Sequence, residues 1–390
     1  MNILPHQVSP FWSYGFRPFF FSAALFAGIA IPVWVWSLSG AEGVPMHYLL
    51  REWHVHEMVF GFLSCVITGF LLTAIPNWTD RPPMRGFPLM LLWALWLAGR
   101  LAITASWLAP IVVAMIDAVF LIVVAGIVWR ELIGSNAWDR LPIGVLISLY
   151  AGANLLFHSL FLNGAATDLA ERMALTLIMV LLAMIGGKIT PGFTEDFLSD
   201  RGFTQQPAEF SAVDGLAILF IGLAGILWMS DVSPTVTGSL FVMAGLMHLV
   251  RMSRWYGWLT WSDPLLFILH VGYGWLALSF IILGGAMQGV GLHQADALHA
   301  LTTGAVGAMT LGVMTRASLG HTGRIKKAGG LTVLIYVLVN LGAILRVFGS
   351  FVGFADGQYL GLAVACWSGA YLLFALSYGH ILFGQNLSEE

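Results

Sequence analysis

The chain has 390 residues, 58% of them hydrophobic and 9% charged, where a soluble domain carries roughly 25% charged residues. That balance excludes an ordinary soluble globular protein and defines a polytopic membrane protein embedded in a lipid bilayer. The formal net charge of −3 comes with neither a basic block nor an acidic tail, so nothing here points to nucleic acid as a partner.

A bilayer core about 30 Å thick takes about 20 apolar residues of helix per crossing, and twelve stretches meet that requirement. In chain order the helices are predicted over residues 17–38, 54–75, 88–107, 111–132, 141–162, 172–189, 212–229, 236–252, 264–286, 296–315, 331–348 and 360–382. The first is longer than a signal-peptide core and lacks a small-residue cleavage pattern behind it, so it reads as a retained helix. Cys65 and Cys366 lie singly in apolar stretches and make neither a disulfide framework nor a CxxC metal site. The expected fold class is an all-α polytopic membrane protein, with residues 1–390 forming a single twelve-helix membrane domain.

An even number of crossings puts both termini on one side, and alternation then sorts the loops. Arg17, Arg81, Arg85, Arg130, Arg140, Lys188, Arg201, Arg251, Arg254, Arg316, Arg324, Lys326 and Lys327 fall on that side, and Arg51, Arg100, Arg172 and Arg346 on the other. The positive-inside rule assigns the crowded side, with both termini, to the cytoplasm.

Helices one, five and nine open alike: FRPFFF (16–21), DRLPIGV (139–145) and SDPLLFI (262–268) place Pro18, Pro142 and Pro264 at spacings of 124 and 122 residues. Proline suits the first helical turn because the missing N–H has no partner there. Helices two, six and ten close alike, in LLTAIPNWT (71–79), GGKITPGFT (186–194) and LGVMTRASLGHTG (311–323). The simplest account is three four-helix units, about 11–135, 136–258 and 259–390, in pseudo-threefold arrangement. An unrelated twelve-helix bundle is the alternative.

With topology assigned, the histidines fall into two layers. His54, His56, His158 and His299 lie at the outer ends of helices, and His248, His270, His321 and His380 toward the cytoplasmic side. His56 precedes Thr73 by 17 residues and His299 precedes Thr315 by 16, which gives them equivalent places in the first and third units. Intramembrane histidine is costly unless paired or metal-bound, and imidazole ligates both haem iron and copper. His54, His56, His299, His248 and His270 are the candidate metal ligands, with Glu57 placed to orient His56. On a continuous helix His54 and His56 point about 200° apart and cannot both face one metal. Arg100 and Arg346 lie deep enough to need anionic partners, either haem propionates or protein carboxylates.

The stretches GFRPFFFSAAL (15–25), WHVHEMVFGF (53–62), TGFLLTAIPNWT (68–79), LWLAGR (95–100), HLVRMSRWYGW (248–258), DPLLFILHVGYGWL (263–276) and LHALTTGAVGAMTLGVMTRASLGHTGR (298–324) resemble the NnrS family of bacterial inner-membrane proteins over nearly the whole chain. The resemblance implies a twelve-helix protein that carries haem, here of b type, and copper, and serves the response to nitric oxide and nitrosative stress, often beside denitrification. It places cofactor-binding residues at His54, His56, His158, His299, His248, His270, His321, Arg100 and Arg346, with supporting positions at Glu57, Arg17, Asn77, Arg251 and Arg316. Lys188 departs from the arginine the pattern leads one to expect.

Nitric oxide is the expected small ligand, and quinone or a donor protein the expected electron source if the protein turns over. The competing readings are a transporter of a metal or metal-nitrosyl complex and a scaffold for a respiratory oxidase or reductase. Against transport, no paired broken helices with intramembrane acids are visible in the sequence.

Overall fold

The computed structural model describes residues 8–38, 40, 47–352 and 358–387. Among these residues, twelve helices are long and apolar enough to cross a membrane: α1 Phe16–Leu38, α2 Leu50–Thr79, α3 Phe87–Thr104, α4 Pro110–Gly134, α5 Trp138–Leu162, α6 Asp168–Asp200, α7 Ala212–Met229, α8 Pro234–Ser253, α9 Pro264–Met287, α10 Gln294–Gly320, α11 Gly330–Phe351 and α12 Gln358–Phe383. The described residues contain no β-strand. The protein is all-α and multi-pass, as composition requires.

Local chemistry sets where these helices start. Pro110, Pro234 and Pro264 each occupy the first residue of their helix, where their fixed φ is already helical and no donor is lost. Asp263 caps α9 by accepting the Leu265 amide at 3.0 Å, and Ser211 with Asp214 forms a reciprocal capping box on α7. Large exposed aromatics mark helix ends: Trp36 near the end of α1, Trp107 after α3, Trp138 at the start of α5, and Trp258 and Trp261 between α8 and α9. Indole rings favour the interface between lipid and water.

Three helices are the longest among the described residues. α2, α6 and α10 run for 30, 33 and 27 residues, more than a bilayer core needs at about 1.5 Å per residue. Each contains a stretch of wider π-helical turn, at Glu57–Leu63, Leu182–Gly186 and Ala300–Val306. Hydropathy cannot register such a turn, because it changes hydrogen-bond register and leaves composition alone. The residue immediately before it is His56 in α2 and His299 in α10. A backbone feature thus recurs in the second, sixth and tenth helices, at intervals of 125 and 118 residues. π-Turns cluster at functional sites.

The chain divides into two compact units, Met1–Glu171 with Ala317–Ile325 and Ala375–Glu390, and Arg172–Arg316 with Lys326–Phe374. In the first unit α1 packs along α2, and α4 along both α3 and α5. Arg17, 2% exposed, donates to the Leu382 carbonyl at 2.9 Å and the Gly384 carbonyl at 2.6 Å, satisfying carbonyls that the end of α12 leaves open. In the second unit α8 lies between α7 and α9, and α9 packs against the wide turn of α10.

Candidate functional site

Within the first unit, side chains from α2, α3, α4 and α5 converge on Asp117. One guanidinium nitrogen of Arg100 donates to Glu57 Oε1 at 2.5 Å, and the other pairs with Asp117 Oδ1. The second oxygen, Asp117 Oδ2, meets His158 Nε2 at 2.9 Å, His56 Nε2 at 3.2 Å and Asn154 Nδ2 at 3.0 Å. His56 Nδ1 lies 2.9 Å from Glu57 Oε1. Every one of these residues is buried, so the helices carry two acids, one arginine and two histidines away from solvent. An isolated charge at that depth costs several kcal/mol, and mutual pairing offsets the cost.

Glycine makes room for the cluster. A Cβ at Gly99 would sit 2.8 Å from Asp117 Oδ1 and 3.2 Å from the Asp117 Cα, and one at Gly61 would strike the Arg100 guanidinium. The motif LAGRLA therefore pairs its arginine with a close approach of α3 to α4.

Tyr48, in the segment leading into α2, closes the cluster. Its hydroxyl lies 2.6 Å from His158 Nδ1, and its ring stacks on His56 with centroids 5.3 Å apart. Burial first, then the Asp117 charge, pushes the Tyr48 phenol up, so it stays neutral and can donate to or accept from His158 Nδ1 according to the tautomer. The wide turn behind His56 leaves carbonyls that neighbouring helices satisfy: Trp96 Nε1 donates to the Gly61 carbonyl at 2.8 Å, and the Tyr150 hydroxyl to that of Val59. Tyr150→Phe is expected to lower stability by about 1–3 kcal/mol, the cost of one buried unsatisfied acceptor. An unchanged melting temperature of the purified protein in detergent would refute that role.

The second unit has its own buried network, centred on Arg251, 1% exposed. Arg251 donates to Asp214 Oδ1 at 2.6 Å, the Tyr273 hydroxyl at 2.7 Å, the Ala183 carbonyl at 2.8 Å and the Gly187 carbonyl at 3.1 Å. The last two belong to the wide turn of α6 and the residue after it. Because Tyr273 accepts from Arg251, its own proton goes to His248 Nδ1, 2.8 Å away. His270 is held differently: Thr194 donates to the Thr190 carbonyl at 2.8 Å and so accepts from His270 Nε2, also at 2.8 Å. His248 and His270 are thus each fixed by a different partner.

The remaining predicted residues divide between the units. His54 stacks on Trp34 with ring centroids 4.0 Å apart, whereas His56 faces Asp117, so the pair diverges as the helical wheel demanded. His158 belongs to the central cluster. His321 stacks near Tyr14 with centroids 6.1 Å apart, and Asn77 reaches back to the Thr73 carbonyl at 3.5 Å. In the second unit His299 Nδ1 lies 2.6 Å from the Ala295 carbonyl, Arg346 donates to Asp296 at 2.5 Å, and Arg316 stands over the Phe193 ring at 4.2 Å with Asp263 4.0 Å away. Lys188 is exposed.

Two points correct or resolve the sequence reading. Of the two partners open to Arg100 and Arg346, protein carboxylates occupy both. The sequence reading also passed over an intramembrane acid: Asp117 lies inside α4. Its signal was in plain view, as the one charged residue between Arg100 and Arg130. Tyr48, Asn154, Tyr150, Asp214, Tyr273 and Asp296 carried no comparable signal.

Among the described residues, twelve helices of membrane length and a buried ion-pair network in each unit define a polytopic membrane protein. The chain belongs to the NnrS family, whose sequence profile, described as NnrS protein, matches residues 10–385. Among curated proteins, none matches the chain. Family membership points to a role in the nitric oxide response.

Proposed function

We propose that this chain is a haem-binding protein of the bacterial inner membrane, with both termini cytoplasmic, that binds nitric oxide and protects against nitrosative stress. Family membership supports the nitric oxide role, and one geometric observation supports the haem. His299 turns Nδ1 to a backbone carbonyl 2.6 Å away, the arrangement that sets the tautomer and ring orientation of histidines that ligate iron through Nε2. The cluster around Asp117 does not fit a porphyrin, because the ring nitrogens of His56 and His158 meet one carboxylate oxygen at 3.2 and 2.9 Å, and a macrocycle cannot pass between them. Bound haem would supply an iron that takes a diatomic ligand reversibly. The apolar spans admit a small uncharged ligand from lipid; were haem bound, His299 would hold its iron, and Asp296 keeps Arg346 in place. Quinone or a donor protein is the electron source if turnover occurs.

The test is a reduced-minus-oxidised absorption spectrum of the detergent-purified protein, before and after nitric oxide. Stoichiometric b-type bands that shift with nitric oxide and vanish in His299→Gln are expected. A wild-type protein without haem, or a spectrum indifferent to His299→Gln, would overturn the reading.

A transporter is the second reading, favoured by the intramembrane acid Asp117 and by the interrupted helices α2, α6 and α10. Ion uptake by proteoliposomes that requires Asp117, in protein lacking haem, would decide for it.

A further inference from the structure

We infer that His56, Asp117 and His158 form a binding site for a divalent first-row transition-metal ion, separate from any haem. One ligand atom from each of the three converges within 4.8 Å, and the inference goes beyond the haem reading without depending on it. The first observation is spacing. Bonds of about 2.0–2.1 Å to nitrogen or carboxylate oxygen, at octahedral or tetrahedral angles, separate neighbouring ligand atoms by about 2.8–3.4 Å. Asp117 Oδ2 stands 2.9 Å from His158 Nε2 and 3.2 Å from His56 Nε2, and both separations lie within that range.

The second observation is how each ligand is held. The far nitrogen of His56 is on Glu57 at 2.9 Å, the far nitrogen of His158 is on the Tyr48 hydroxyl at 2.6 Å, and the other oxygen of Asp117 is on Arg100. Ligating histidines and carboxylates are oriented by such outer partners. A plain ion pair would need Arg100 and the two acids; it would not need two imidazoles aimed at the same oxygen and each tethered from behind.

Two imidazoles and one carboxylate suit a divalent first-row ion and leave coordination positions open. The ligands come from three helices, α2, α4 and α5. His56 reaches the site at the last residue before the wide turn, where the change of helical register sets its direction.

The experiment uses the full chain in detergent, treated with chelator and then titrated with Zn2+ and, as an optical probe, Co2+. Wild-type protein is expected to take up about one ion per chain, with an X-ray absorption spectrum at the zinc edge showing two imidazole nitrogens and oxygen. His56→Gln and His158→Gln, each checked for folding by gel filtration, should lose stoichiometric binding. Tyr48→Phe should keep the ion with affinity reduced by about 10-fold or more. No ion in wild-type protein, a shell without imidazole, or equal binding in both histidine variants would overturn the assignment. Haem measured on the same samples separates the two readings, since its absence beside a bound ion sinks the haem proposal and leaves this site standing.

Discussion

Replacing Arg100 with methionine is expected to lower the stability of the folded protein by about 3–5 kcal/mol, the range for removing one partner of a buried ion pair. Arg100 is 6% exposed and pairs with two acids, Glu57 and Asp117, that are themselves 1% and 3% exposed. Methionine fills much of the volume but leaves both carboxylates without their cation, where burial makes an unpaired charge expensive. The sign of the effect can be checked internally. Adding Glu57→Gln and Asp117→Asn to Arg100→Met removes the unpaired charges and should recover part of the loss, because the damage lies in the orphaned acids more than in the missing guanidinium. The measurement is the apparent melting temperature in detergent of wild type, single variant and triple variant. A single variant as stable as wild type, or a triple variant less stable than the single, would show that the cluster is not held by charge compensation.

Arg251→Lys is expected to cost at least about 2 kcal/mol, despite conserving charge, because two backbone carbonyls lose their donors at about 1–3 kcal/mol each. The Arg251 guanidinium serves Asp214, Tyr273 and the carbonyls of Ala183 and Gly187 together. A lysine ammonium is a compact point charge and cannot span that set. Ala183 lies in the π-turn and Gly187 directly after it, where the shift in hydrogen-bond register disturbs the ordinary helical pairing of carbonyls. Arg254→Lys is the control, since Arg254 is 24% exposed on its side chain and water can take over its bonds. Equal melting temperatures for the two lysine variants would refute the account.

The twelve crossings were legible because apolar length is written directly into composition, and a bilayer is a fixed ruler. His56, Glu57, His158 and Arg100 were legible as site residues because polar groups in such helices are conspicuous. Asp117 was equally conspicuous and was passed over when histidine was taken as the mark of the site. Tyr48 was beyond reach for a different reason: it lies outside the crossings, and its importance comes from a contact with His158, 110 residues away. The wide turns were hidden because they alter hydrogen-bond register without altering hydropathy. The partners of Arg100 and Arg346 were left open between propionates and acids because depth states the need for an anion and says nothing of its source.

The closeness of Arg100 and Asp117 in the chain bears on how the protein enters the membrane. On insertion scales each charge alone costs about 2.5–3.5 kcal/mol at the middle of a crossing helix. The two residues are separated by 17 positions, across a hairpin whose helices end at Thr104 and resume at Pro110. At about 5–20 residues per second of synthesis, the acid leaves the ribosome within a few seconds of the arginine. α3 and α4 can therefore pass into lipid as a pair whose charges already answer each other, and the later helix that brings His158 docks onto a neutralised hairpin.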